Sequence, residues 1–178
     1  MTDTNALPPL PSPGALCIAT ARLDLVPLTR EHATEMFEIL KDPLLYDFTG
    51  DTPPADVETL TRRYEFWEKR KSPDGSQLWL NWAVRERQGG TLIGHAQATV
   101  AVAYTEVAWV IGTSRQNRGY ASEAAIGVVK WLLGFGVCEI RASIHPEHEA
   151  SIKVAERAGL MRTDVVANGE VVWKLSVC

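Results

Sequence analysis

The sequence predicts an α+β fold: one mixed, mostly antiparallel central sheet of about seven strands, with helices packed on both of its faces. Three observations lead there. The chain has 178 residues, which falls within the usual single-domain range of roughly 100–200. Hydrophobic residues make up 46% and charged residues 22%, the balance of a chain that buries one ordinary core. The apolar period also alternates between that of strands and that of helices, in the order strand, two helices, three strands, helix, strand, helix, hairpin.

Taken in order, the run from Cys17 to Thr29 alternates apolar and polar residues around Leu23, Leu25 and Val26, and reads as the first strand. Thr29 is placed as the N-cap of a helix carrying Met36, Phe37 and Leu40, which Pro43 follows. A second helix is expected after Pro53 and Pro54, with Val57, Leu60, Tyr64 and Trp67 on one stripe, running to about Lys71. LWLNWAVRER and TLIGHAQATVAVA, separated by Gln88-Gly89-Gly90, read as a hairpin, and YTEVAWVIG adds a third antiparallel strand. A long helix follows with Ala125, Val128, Val129 and Leu132 facing inward, ending at Gly134 or Gly136. CEIRASI is a short strand, HEASIKVAERAG a helix closed by Gly159, and the two runs around Asn168-Gly169 a closing hairpin.

Residues 1–15 carry Pro8, Pro9, Pro11 and Pro13 without a basic or an apolar leader segment. They read as a flexible, Pro-rich arm before a domain over 16–178, not as a secretory signal. The net charge of -4 argues against broad binding to nucleic-acid phosphates, which draws on clustered Lys and Arg. No apolar run is long enough to span a membrane, so a cytoplasmic protein is expected. Cys17, Cys138 and Cys178 are far apart with no C-x-x-C pair, and are read as reduced thiols, two of them in or near the core. His145 and His148 stand three apart, but no further ligand is positioned to complete a metal site, and no metal is expected.

The stretch that points to chemistry is IGTSRQNRGYASEAA, from Ile111 to Ala125, where a strand ends, a polar loop follows and a helix begins. The free N–H groups of a first helical turn point outward with the positive end of the dipole, so such a junction holds anions, pyrophosphate among them. Gly119 permits a left-handed turn and close approach, Ala121 keeps the surface flat, Ser122 adds a hydroxyl, and Arg115 and Arg118 add charge. Taken alone, a glycine before a helix often only turns the chain. Neither G-x-x-x-x-G-K-[ST] nor a strand-linked G-x-G-x-x-G is present, which argues against an ATP loop or a dinucleotide fold.

Gln116-Asn117-Arg118-Gly119-Tyr120-Ala121 resembles the [QR]-x-x-G-x-[GA] acyl-CoA pyrophosphate loop of GNAT N-acetyltransferases. EVAWVIGTSRQNRGYASEA and SIHPEHEASIKVAERAGL are most similar to the subfamily that includes the acetyltransferases of ribosomal-protein N-termini. The resemblance implies the GNAT fold, with acetyl-CoA as cosubstrate. It implies that Val110 and Ile111 offer backbone groups to the pantetheine arm and that Gln116, Asn117, Arg118, Gly119, Tyr120, Ala121 and Ser122 hold the pyrophosphate. The thioester would lie where two neighbouring strands splay. Where many members have an Asn touching the cofactor this chain has His148, and where many have a Tyr that protonates the leaving thiolate it has Ala155.

An amine is mostly protonated at neutral pH, so a base must take its proton, directly or through water. Glu106 is the candidate, since that subfamily often has a glutamate here and alternation puts it on one face with Ala108 and Val110. Without the resemblance it would read as a solvated or ion-paired strand residue. Ser151 is assigned to orienting the thiolate, and Trp67 is the tryptophan placed nearest the amine. Asp47, Asp51, Asp56 and Glu58 read as a solvated loop, with attraction of a cationic amine as the alternative. The expected activity is transfer of acetyl to a primary amine, either a protein N-terminus or a small molecule, by a monomer or a homodimer. The rival is a catalytically silent acyl-CoA-binding or interaction module with the same fold.

Overall fold

The computed structural model describes residues 6–177. Eight strands form one sheet in the order β1-β2-β3-β4-β5-β6-β8-β7. They are β1 (Ile18–Ala19), β2 (Leu23–Pro27), β3 (Leu78–Glu86), β4 (Leu92–Val100), β5 (Thr105–Ile111), β6 (Glu139–Ile144), β7 (Met161–Ala167) and β8 (Glu170–Ser176). All neighbours pair antiparallel except β5 and β6, which run parallel. The four α-helices are α1 (Ala33–Leu40), α2 (Val57–Trp67), α3 (Tyr120–Gly134) and α4 (Glu149–Arg157). No helix among the described residues is long and apolar enough to cross a membrane.

The expected count of about seven strands becomes eight because the first strand breaks in two. Thr20 turns the chain there: its Oγ1 accepts from the backbone N–H of Leu23 at 3.0 Å and donates to Glu123 at 2.6 Å. β1 consequently folds back antiparallel on β2, Ile18 opposite Leu25. The helix expected after Thr29 begins as a 3₁₀ turn (Arg30–His32) and becomes α1 only at Ala33. The second ends at Trp67, short of Lys71, and starts on Asp56, whose side chain accepts from the Thr59 N–H at 2.7 Å. Asn168 and Gly169 both adopt positive φ, 53° and 84°, as a two-residue hairpin turn requires.

Helices α1 and α2 cover one face of the sheet, where Met36, Leu40, Leu60 and Tyr64 pack with Ala83. Helices α3 and α4 cover the other, and the larger core lies beneath them, from Leu23 and Leu25 through Val128, Leu132 and Val154. The residues expected to face inward on α3 are all buried. Of the Pro-rich arm, residues 1–5 lie outside the described chain. The rest lies along the domain: Leu7 packs against the larger core, the Pro11 carbonyl accepts from Arg70 at 2.8 Å, and the Ala15 and Leu16 carbonyls accept from the Trp131 and Trp82 indoles.

Cys17 is free, as expected of a reduced thiol, but exposed; for Cys138 the expectation is corrected, since it is exposed and disulfide-bonded, and Cys178 lies outside the described residues. Cys17 precedes β1 and Cys138 precedes β6, at chain positions that the sheet leaves on the surface, which hydrophobicity along the sequence does not reveal.

Candidate active site

The site is built around a parting of strands. β5 and β6 pair only at Thr105 with Ile140 and Glu106 with Arg141, although β5 runs on to Ile111 and β6 to Ile144. Beyond those positions β5 remains paired with β4 alone, so its other edge carries backbone donors and acceptors without a strand partner. The wedge opens into a cavity of about 1310 Å³ lined by Val107 to Ile111 on one side and Ala142 to Ile144 on the other. That exceeds the roughly 300–1,000 Å³ of a usual small-molecule site, which leaves room for two reactants.

At one end of the cavity lies the glycine-bearing loop. Gly119 takes φ of +79° and α3 starts at Tyr120, so its first-turn N–H groups face the cavity, which Gly119, Tyr120, Ala121 and Ser122 line. This is a cradle of the kind that an acyl-CoA pyrophosphate requires, and the residues present fit that group. Asn117 also adopts positive φ, 60°, and it too lines the cavity. Gln116 lines it as well, but its side chain is engaged, donating to the Ile111 carbonyl at 3.0 Å. Arg118 lies outside the lining, and its carbonyl accepts from Arg22 at 3.0 Å.

Sequence reading missed how this loop is braced. Glu86, at the end of β3, accepts from the Tyr120 hydroxyl at 2.6 Å and pairs with Arg115 at 3.3 Å. That hydrogen bond is the main cause of a raised Tyr120 phenol pKa. Arg22 sits 4.5 Å from the centre of the Tyr120 ring and pairs with Glu123 at 2.7 Å. Ser122 is held from the opposite side, its Oγ accepting from Arg157 of α4 at 3.3 Å. Such partners are distant in sequence and leave no local pattern.

Glu106 lies on β5 at the throat of the wedge, its carboxylate accepting from Ser143 Oγ of β6 at 2.8 Å. Ser143 lines the cavity, and Glu106 itself does not. Val110 and Ile111 line the cavity where the strands are apart, and so do Ser151 and His148 of α4's start. His148 stacks on Phe48, ring centres 4.6 Å apart, and burial, aided by His145, holds its imidazole pKa below the ordinary value. Ala155 is fully buried in the core, so the cavity wall has no hydroxyl at that position. Trp67 lines the cavity as expected, and so do Asp47 and Asp51, whereas Asp56 caps α2 and Glu58 pairs with Arg62.

Two further lining residues carried no sign of function in the sequence. Tyr64 on α2 is 1% exposed, and neither its hydroxyl nor Nδ1 of His95 on β4 has a hydrogen-bond partner. Burial pushes the His95 imidazole down to about 4, which leaves it neutral at pH 7.

Comparison with known proteins agrees with this fold. The sequence profile of the acetyltransferase (GNAT) domain matches residues 22–161. An uncharacterized N-acetyltransferase of Bacillus subtilis, YnaD, is 30% identical over 139 residues, 71% of this chain and 76% of its own. A Vibrio cholerae structure provisionally named a ribosomal-protein-serine acetyltransferase superposes with a TM-score of 0.69 at 19% identity, over 90% of this chain and 97% of its own. AAC(6')-Ib, solved with paromomycin and acetyl-CoA, superposes with a TM-score of 0.71 at 16% identity, over 87% of this chain and 93% of its own.

Proposed function

Because the chain belongs to the acetyltransferase (GNAT) domain family, and so is an N-acetyltransferase that uses acetyl-CoA, we propose that it acetylates a primary amine by direct attack within a ternary complex. The observation that carries this reading is the wedge between β5 and β6, which opens into one cavity that both the cradle of Gly119 and Trp67 line. Both reactants fit one cavity with their reacting ends together, and proximity of that kind supplies much of a transfer rate.

In this reading the catalytic unit is residues 16–178, preceded by the Pro-rich arm. The residues from Gln116 to Ser122 hold the pyrophosphate, through backbone N–H groups more than side chains, because Gln116 and Ser122 are already engaged elsewhere. Val110 and Ile111 hold the pantetheine arm along the unpaired edge of β5, and His148 closes over it with Phe48. Acetyl-CoA supplies the activated acetyl group. Glu106 takes the proton of the attacking amine, with Ser143 fixing its carboxylate and a water relaying the proton across the short gap to the cavity. Ser151 orients the departing sulfur, as the only hydroxyl that α4 turns to the cavity.

Two acceptor classes fit the reading: a protein N-terminus, supported by the motif resemblance to ribosomal-protein acetyltransferases, and a small-molecule amine, supported by the aromatic Tyr64 and Trp67 in the cavity wall. The test is release of free CoA thiol by the purified protein with acetyl-CoA against N-terminal Ser and Ala peptides, aminoglycosides, polyamines and amino acids. Turnover with one class names the acceptor. Acetyl-CoA binding without turnover across the panel would instead favour a silent acyl-CoA-binding module.

A further inference from the structure

The acceptor end of the cavity contains a set of polar groups that the fold itself does not use. Tyr64 is 1% exposed, yet its hydroxyl has no partner, and the same holds for Nδ1 of His95. Unpartnered buried polar groups are costly, about 1–3 kcal/mol each, and are retained where a ligand completes them. Both residues line the wedge cavity. His95 lies on β4 directly opposite Val110, so this corner adjoins the place proposed for the reacting group.

Arg63 lines the same cavity, and no carboxylate among the described residues pairs with it. Its positive charge acts on both Tyr64 and His95, and no acidic group acts on either. Asp47 and Asp51 line the same cavity, and Asp51 acts on Tyr46, as Arg63 does, but not on Tyr64 or His95. Arg63, exposed at its own position, and the buried Tyr64 hydroxyl thus offer a positive charge and a donor to this part of the cavity. The side-chain hydrogen bond from Gln97 favours the protonated His95 ring, as an amide oxygen accepting from Nε2–H does, and this leaves Nδ1 of the neutral ring an acceptor rather than a donor.

We propose that Arg63 and Tyr64 form a subsite for an anionic oxygen, and that the acceptor amine carries a carboxylate there, as an α-amino acid does. The proposal rests on the acetyl-transfer reading and narrows its substrate. A polyamine or an aminoglycoside would place a second cation against Arg63 and give Tyr64 nothing to donate to. A carboxylate satisfies Arg63 and Tyr64 at once, and hydrogen bonds to a charged partner are the stronger kind.

The experiment compares each proteinogenic α-amino acid with its own carboxamide and its decarboxylated amine. It reads kcat/KM by CoA thiol release and binding to the enzyme–CoA complex by calorimetry. One or more amino acids should be preferred over both analogues by about 10–100-fold. Tyr64→Phe and Arg63→Gln should each shrink that preference about tenfold, while the acetyl-CoA Kd and the melting temperature hold. A purely structural Tyr64 would instead lower the melting temperature and leave the preference alone. Equal or better use of the decarboxylated amines, or no amino acid bound or acetylated, overturns the subsite. Acetylation of other amines in that case leaves the acetyl-transfer reading standing, whereas absence of acetyl-CoA binding removes both.

Discussion

Ser143 Oγ donates to Glu106 Oε1 at 2.8 Å, which joins β6 to β5 just past Glu106 and Arg141, the last paired residues before the strands part. The bond fixes one carboxylate oxygen and leaves the other for a proton. Replacing Glu106 with Gln keeps an oxygen for Ser143 but removes the basicity. Turnover should fall about 10²–10⁴-fold, with the acetyl-CoA Kd held within about twofold. Unchanged kcat would take Glu106 out of the mechanism.

Gly119 holds φ at +79°, a region that costs a residue with a β-carbon about 1–2 kcal/mol. Gly119→Val should therefore weaken acetyl-CoA binding and lower the melting temperature by a few degrees, at roughly 2–4 °C per kcal/mol for a chain of this size. Calorimetric titration with acetyl-CoA reads the first effect and a thermal scan the second. Wild-type affinity in the variant would mean that the cradle lies elsewhere.

A β-carbon at Gly94 would stand 2.0 Å from the Val110 carbonyl oxygen, backbone that cannot swing aside as a flexible side chain does. Gly94→Ala is expected to force β4 from β5 and to cost about 1–3 kcal/mol or more. Because the displaced residue is Val110, activity should fall by more than the loss of folded protein explains. Urea denaturation together with specific activity per folded molecule separates the two.

His95 titrates near 4 in the folded chain, below the roughly 6.5 of an unfolded histidine. Its folded pKa is depressed, so the neutral form is favoured by folding. The unfolded state binds the extra proton first, and stability present above about pH 6.5 is lost as pH falls toward 4, about 2 kcal/mol by pH 5. His95→Gln should flatten this part of the stability–pH curve. An unchanged slope in the variant would assign the acid lability to another group.

The order of elements could be read from periodicity because each strand and helix is regular in itself: Ala125, Val128, Val129 and Leu132 repeat at helical spacing and all are buried. The eighth strand escaped because Thr20 turns the chain through a hydroxyl that bonds Leu23 and Glu123, and alternation passes through such a turn unchanged. Gly119 was legible as a local demand of backbone geometry. The braces of its loop, Glu86, Arg22 and Arg157, are supplied by other elements, and only tertiary structure brings them there. Tyr64 illustrates the harder case: its stripe position forecast burial in the core, but not a hydroxyl left without a partner at the edge of a cavity.

The wedge also divides the sheet mechanically. Between β5 and β6 the ladder amounts to Thr105 with Ile140 and Glu106 with Arg141, whereas β3 and β4 pair from Leu78 to Arg85 and β6 pairs with β8 along its whole length. The plate of β1–β5 and the plate of β6–β8 are thus fastened at a narrow seam and by the helices that cross it, and each opens with its own free energy. Amide hydrogen exchange should slow at different rates on the two plates, and a molecule filling the wedge should bind their protection into one.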